Sequence, residues 1–445
     1  MNPNKMAAAP TPDAAATTVE SLSHDGRGVA HVGGKAVFIE GALPGEEVRF
    51  RYLNRRRRYD NGAALEILSP GPDRVPPPCP HFGACGGCSL QHLRPEAQIR
   101  AKQQALAEQL QRIGKVQPES WLAPVTGPAW GYRRRARLGA RFVPKNGGVL
   151  VGFRARRRSF IANLDACPVL EPCISGLLPQ LRALVATLSC PDRIPQIEVA
   201  VGADAAALVF RHLVPLADRD LELLRAFGAR HTVQIHLQGG GPESVRALWP
   251  DEAPALFYRL PEHDIKIYFR PTDFIQINDQ VNRQAVAQAI ALLDPGPRDT
   301  ALDLFCGLGN FTLPLARRVQ GVLGIEAEPG LVEGARRNAA ANGVANAEFR
   351  AANLYDAVSA APPWGDLRCD KLLLDPPRSG AIEAIKLLPS PGPERIVYIS
   401  CYPVTLARDS EYLVHARGYR LAAAGVMDMF PHTSHVESMA MFVRE

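Results

Sequence analysis

The chain has 445 residues, 46% of them hydrophobic and 22% charged, with 37 glycines and 39 prolines. This composition excludes a collagen-like, mucin-like or wholly disordered chain and leaves room for two or three domains with cores of their own. The net charge of +6 hides an uneven distribution: residues 49–58 and 131–158 hold fifteen arginines, one lysine and no acid, a charge of +16 that leaves −10 on the other 407 residues, the footprint of a phosphate-backbone partner.

Residues 1–19 are rich in Ala, Pro and Thr and lack the apolar core of a signal peptide, so they read as a disordered tail. No stretch reaches the roughly 18 apolar residues needed to cross a membrane. Nine cysteines, an odd number, in a chain without a leader point to a reducing compartment and a cytoplasmic protein. Short strand patterns follow at 28–32, 35–39, 47–52 and 63–68, with a weaker start at Glu20, separated by Gly-Gly, Pro-Gly and Asn-Gly turns. They predict a small closed β-barrel of the OB type over residues 20–72. Arg55, Arg56, Arg57 and Arg58 fall in one of its turns between Tyr52 and Tyr59, and Arg133, Arg134 and Arg135 follow Tyr132 in the second basic run. Arginine interleaved with aromatics suits phosphate contact with base stacking, so these seven are the RNA-binding candidates.

A Pro-rich boundary at 69–78 leads to Cys79-x5-Cys85-x2-Cys88, with Cys167-Pro168 far downstream. Cytosolic thiols at this spacing read as a metal or cluster site. Zinc accepts four thiolates, while Gly86-Gly87 and the Cys-Pro pair favour a [4Fe-4S] cluster held by Cys79, Cys85, Cys88 and Cys167; Cys173 is a rival fourth ligand. An amphipathic helix near 95–113 and alternating strand and helix patterns (173–188, 197–201, 206–210, 232–237) predict a central α+β domain over 73–273. The helix is a candidate to dock on the C-terminal domain. From residue 274 the pattern becomes helix 279–293, strand 300–304, a glycine loop and helix, strand 321–325, and strands 371–374 and 395–399. That alternation predicts an α/β, doubly wound, Rossmann-like domain to the C-terminus, with ligands beyond the carboxyl ends of its strands.

Chemistry concentrates at those ends. Asp303-Leu304-Phe305-Cys306-Gly307-Leu308-Gly309-Asn310-Phe311 leaves an apolar strand for a helix, lacks the third glycine of a dinucleotide loop, and is followed by Glu326 at the next strand end. An acid there can take two ribose hydroxyls, so the loop reads as an S-adenosylmethionine site. Asp375-Pro376-Pro377-Arg378-Ser379-Gly380 forms a rigid loop at the same edge. Ser400-Cys401-Tyr402-Pro403 presents a thiol beyond the next strand, whereas Cys190, Cys306 and Cys369 read as structural. A polar loop, Phe430-Pro431-His432-Thr433-Ser434-His435-Val436-Glu437-Ser438, precedes an apolar strand at 439–443 taken as the sheet's edge, and its His and Glu residues are the acid/base candidates.

Taken together, 303–311, DPPRSG at 375–380, SCYP at 400–403 and FPHTSHVE at 430–437 resemble the RNA uracil-C5 methyltransferase family, and the likeness runs from about residue 20 to the end. The barrel, a TRAM domain in that family, and the cysteine cluster resemble the branch that methylates 23S ribosomal RNA. The resemblance implies Cys401 as nucleophile, Glu437 as general base and a [4Fe-4S] cluster. It also implies cofactor contacts from Gln276, Phe305, Asn310, Glu326, Asn353 and Asp375. Two positions depart from the family pattern: Tyr402, where Asn is usual, and Asn353, where an acid is common. The expected partner is 23S ribosomal RNA in a single-stranded or unfolded loop, because the target base must leave its stack; the protein is expected to be a monomer with no obligate protein partner. A transfer RNA uracil methyltransferase and a non-catalytic RNA-binding factor are the alternatives.

Overall fold

The computed structural model describes residues 14–144, 148–157, 159–356 and 362–445. Contacts divide the chain into two units, one of residues 1–101 with 432–435 and the other of residues 102–431 with 436–445. The segment carrying Cys79, Cys85 and Cys88 therefore belongs with the barrel, beyond the boundary expected near residue 72. Among the described residues no helix is long and apolar enough to cross a membrane.

In the first unit, Ala14–Thr18, Ser21–Leu22, Gly28–Val32, Lys35–Glu40, Glu47–Arg55 and Tyr59–Ser69 form one sheet in the order first, fifth, sixth, fourth, third, second. The two edge strands are consecutive in sequence, and the residues between them bond to both sides: Val19 N–H donates to the Glu46 carbonyl and Glu20 N–H to that of Val29. One continuous stretch thus closes the sheet around Val19, Val37, Ile39, Val48 and Phe50. Residues 14–18 pair with 47–51, so the expected tail is shorter than 1–19; its first thirteen residues lie outside the described residues. The Asn61-Gly62 pair, expected as a turn, lies inside the strand Tyr59–Ser69. A Cβ on Gly62 would meet the Phe50 ring at 2.6 Å, so glycine here makes room for a core aromatic rather than for a turn.

The second unit holds a six-stranded sheet in the order Val245–Trp249, Gln234–Gln238, Ala206–Arg211, Gln196–Val201, Arg135–Val143, Gly148–Gly152, a two-stranded ribbon of Leu256–Leu260 and Ile265–Phe269, and the eight-stranded sheet that positions the site. That sheet runs Ala347–Ala351, Gly321–Glu326, Thr300–Leu304, Lys371–Leu374, Arg395–Ser400, Glu437–Arg444, Tyr419–Met427, Ser120–Trp121. Its first five strands are parallel, and Glu437–Arg444 is antiparallel to both neighbours. The last strand is therefore interior, not the expected edge. Strand order reverses between Thr300–Leu304 and Lys371–Leu374, the place where such sheets open a crevice at their carboxyl ends.

Candidate active site

The crevice is a cavity of about 490 Å³ lined by residues from the ends of all five parallel strands and from the loop before Asp279–Leu293. Leaving Leu304, the chain turns sharply: the N–H groups of Phe305 and Cys306 both donate to the Ile325 carbonyl, at 2.8 and 3.1 Å. Phe305 adopts φ 68° and Gly307 φ 54°, a left-handed path that is strained for phenylalanine and marks a functional turn. Gly307 N–H donates to Glu326 Oε2 at 3.1 Å, while Glu326 Oε1 accepts from Ala327 and Glu328 at 2.7 and 3.0 Å. Asn310 Oδ1 accepts from the Tyr258 hydroxyl at 2.9 Å and from Asn282 Nδ2 at 3.0 Å. The Gln276 carbonyl accepts from Arg134 Nε at 2.8 Å, and Asn278 caps the following helix. Asn353 is exposed and ties its amide to Asp356 at 2.7 Å. Gln276, Phe305, Asn310, Glu326, Asn353, Asp375 and Cys401 all line this one cavity.

Its electrostatics favour a cation. Burial, with the charge of Glu326 nearby, pushes Asp375 up to about 7. Asp303 lies behind, fully buried, with Oδ2 accepting from Thr312 Oγ1 at 2.5 Å and Oδ1 without a partner among the described residues. Burial and the charges of Asp375 and Glu326 push it up to about 8. The raised Asp375 and Asp303 carboxyls, beside the charge of Glu326, are relieved by a positive ligand, and Phe305, Leu308 and Ile275 supply the apolar walls. S-adenosylmethionine, with its sulfonium, adenine and ribose, fits this donor set.

Ser400 pairs with Ser438 across the antiparallel strands. Continuing that register by one residue places Cys401 opposite Glu437, on one side of the sheet. Burial, with the charges of Glu437 and Asp375, pushes the Cys401 thiol up to about 11, and Arg378 opposes this. Burial and Asp375 also hold the Glu437 carboxyl well above the usual carboxylate range, against Lys102 and Arg378. His432, one of the other acid/base candidates, is buried; its N–H donates to Gln98 Oε1 at 2.8 Å and its carbonyl accepts from Ser89 and Leu90. That is a packing role.

The basic runs fare differently. Arg55–Arg58 are exposed, with Arg55 stacked 4.1 Å from the Tyr52 ring centroid and Arg56 5.7 Å from that of Tyr59. Neutralising these four is expected to raise the KM for RNA more than it lowers kcat and to flatten the salt dependence of binding; unchanged affinity and salt slope in filter binding would reject that role. Arg134, by contrast, is not available to RNA. It is buried, paired with Asp279, and stacked 4.5 Å from the Tyr258 centroid. Arg135 donates to Thr272 O at 2.7 Å and to Glu198 at 3.3 Å, and Arg133 spends its Nε on the Arg135 carbonyl. The second run lacks acids along the chain, but the fold brings acids to it. Its Lys145 and Arg158 lie outside the described residues.

Cys79, Cys85 and Cys88 sit in a chain of turns, with Phe82 N–H bonded to the Cys79 carbonyl and Cys85 N–H to that of His81. Cys167 is buried in the other unit. Among the described residues no three His, Cys, Asp or Glu side chains are gathered as a metal-binding group. Tyr258, Asn282, Tyr355 and Lys102 were not foreseen. Tyr355, whose ring lies 5.8 Å from that of Phe305 and whose hydroxyl bonds Gly380 O and Ser379, could have been suspected only as an aromatic beside Asn353.

A tRNA (Uracil-5-)-methyltransferase family model matches residues 258–445 and a TRAM domain model residues 17–51. The 23S rRNA (uracil(1939)-C(5))-methyltransferases RlmD of Alkalilimnicola ehrlichii and Thiobacillus denitrificans are 52% and 53% identical to this chain, covering 96% and 95% of it and 96% and 98% of their own lengths. The crystal structure of the Pyrococcus abyssi tRNA (uracil-54, C5)-methyltransferase in complex with S-adenosyl-L-homocysteine superposes with a TM-score of 0.74 at 25% identity, covering 96% of this chain and 100% of that one. With relatives this similar over nearly its whole length, the chain belongs to the RNA uracil-C5 methyltransferase family.

Proposed function

We propose that this chain methylates C5 of one uridine in 23S ribosomal RNA through a covalent bond between Cys401 Sγ and C6 of the flipped base. The observation that carries the reading is that Cys401 lines the same cavity as Asp375, Glu326 and Asn310 and follows directly on the Ser400–Ser438 pair, next to Glu437, whose charge acts on its thiol. The near-full-length relatives named for 23S rRNA support the substrate. Glu326, Asp375, Asn310, Phe305, Gln276 and Asn353 would hold S-adenosylmethionine, which when bound supplies an electrophilic methyl group. Cys401 adds as thiolate to C6 of uracil, making C5 nucleophilic. After C5 carries the methyl group, Glu437 takes the C5 proton; the released electron pair restores the C5–C6 double bond and expels the thiolate. In this reading the barrel and its exposed arginines grip an unstacked RNA loop, and the protein works in the cytoplasm as a monomer.

The test is to incubate the protein with labelled S-adenosylmethionine and unmodified 23S, 16S and transfer RNA, then map the methyl group. Label at C5 of a 23S uridine supports the proposal. Label confined to transfer RNA selects the substrate named for the Pyrococcus enzyme, and RNA binding without transfer returns the non-catalytic reading. A [4Fe-4S] cluster on Cys79, Cys85, Cys88 and Cys167 is proposed on their spacing alone. Anaerobic preparations holding iron and acid-labile sulfide in equal amounts would support it; zinc or no metal would reject it.

Addition to C6 needs the Cys401 thiolate, and the pKa of that thiol is raised. The active fraction of free enzyme therefore grows as pH rises towards the thiol value of about 11. We expect kcat/KM for RNA to climb steadily from neutral pH to about pH 9, by up to tenfold per unit. A profile flat or falling over that range would contradict the assigned protonation states.

A further inference from the structure

Lys102 is a buried charge that the chemistry above leaves unused. It sits on the helix Pro95–Gln109, outside the part of the chain matched by the methyltransferase family model, and its side chain is 2% exposed. Its ammonium donates to Asp428 Oδ1 at 2.6 Å and to the Phe430 carbonyl at 3.0 Å. Asp428 directly follows Met427, and Met427 is the cross-strand partner of Glu437. The lysine is thus anchored on the turn beside the base, and its charge acts on the Glu437 carboxyl. Burial lowers the Lys102 pKa, while the Asp428 and Glu437 charges draw it back up. A lysine with its hydrophobic stem and head enclosed is costly to keep unless its charge is used.

We infer that Lys102 is a positioning residue for proton abstraction: it fixes the turn beside Glu437 and supplies the positive charge that lets this enclosed carboxyl ionise. The groups facing Glu437 are Asp375, which opposes its ionisation, and Lys102 and Arg378, which favour it; the Cys401 thiol responds to its charge. In the step concerned, the C5–H bond breaks, the proton goes to a Glu437 carboxylate oxygen, and the electron pair forms the C5–C6 double bond and expels the Cys401 thiolate. Without the lysine charge the Glu437 pKa rises further, fewer molecules hold the base form at a given pH, and resolution of the adduct shifts to more alkaline conditions. The inference rests on Glu437 being the base.

The experiment measures, across pH, how fast the methylated protein–RNA adduct forms and how fast it resolves, in the wild type, Lys102→Gln, Lys102→Arg and Glu437→Gln, with thermal melting as a check of folding. Lys102→Gln keeps a donor for Asp428 but loses the charge. It is expected to form the adduct normally and to resolve it about tenfold more slowly at neutral pH, its profile displaced upward by about one unit. Lys102→Arg keeps the charge and should hold the wild-type profile. A wild-type profile in Lys102→Gln, or equal pH-independent losses in both lysine variants, would overturn the role. If Lys102→Gln does not fold, a profile displaced upward in a folded Lys102→Arg would do the same. Normal resolution in Glu437→Gln would instead remove Glu437 as base, whatever the lysine variants do.

Discussion

Cys401→Ala and Cys401→Ser proteins are expected to bind S-adenosylmethionine like the wild type and to transfer no methyl group. The uracil ring becomes nucleophilic at C5 only after something adds at C6, and among side chains a thiolate both adds and leaves readily enough. A serine hydroxyl, far weaker as an acid, fails at the first step. Losses of about four orders of magnitude or more are the rule when a covalent nucleophile is removed, so residual activity should fall below detection in a label-transfer assay. The other thiol lining the cavity cannot take over. Cys306 is buried, its pKa is raised well above the ordinary thiol value by burial and by the Asp303 and Glu326 charges, and its neighbourhood belongs to the turn that would hold the methyl donor. Because Cys401 lies at a strand end and is partly exposed, the substitutions should leave folding intact, checked by melting and by equilibrium dialysis of the cofactor. A Cys401→Ala protein that still methylates C5 would dismantle the covalent scheme.

How much of this was legible beforehand depended on whether the signal was local. The strands Thr300–Leu304 and Lys371–Leu374 appear with the bounds expected from sequence. Central parallel strands are buried on both faces, so each reads as an unbroken apolar run that ends at a chemically distinct loop. Glu326 and Asp375 were singled out in the same way, as acids at the ends of such runs, whereas Gln276 and Asn353 were candidates only through the family resemblance. The strand Tyr419–Met427 was not expected: its core, Ala422-Ala423-Ala424-Gly425, has poor strand propensity and is held by pairing on both sides. Missing it made the last strand look like an edge.

The acid partners of Arg134 and Arg135 were hidden for a different reason. Arg134 meets Asp279, 145 positions away, and Arg135 meets Glu198, 63 positions away. A window along the chain sees the charge but not its partner. The run at 55–58 is exposed because it lies at the turn between two strands, which has no interior to offer it. Lys102 escaped notice because a lysine on an amphipathic helix ordinarily lies in solvent; only the fold shows that this one is enclosed beside Asp428.

Glu437→Gln should separate the two halves of the reaction by moving them in opposite directions. Removing the carboxylate charge takes away a repulsion that holds the Cys401 thiol high, so thiolate forms more readily and addition to C6 should be at least as fast as in the wild type. The amide cannot accept the C5 proton, so elimination stalls and a methylated, covalent protein–RNA adduct accumulates, visible as a denaturation-stable band. Loss of a general base costs about two to four orders of magnitude in turnover, and here that loss should fall on resolution alone. Multiple turnover collapses while a single stoichiometric burst of methyl transfer survives. Were Glu437 merely structural, both halves would slow together and no adduct would build up. If turnover were normal, the proton would have another acceptor, and His435 would be the residue to test next, since His432 is buried and its ring lies 3.3 Å from Gln98 Nε2.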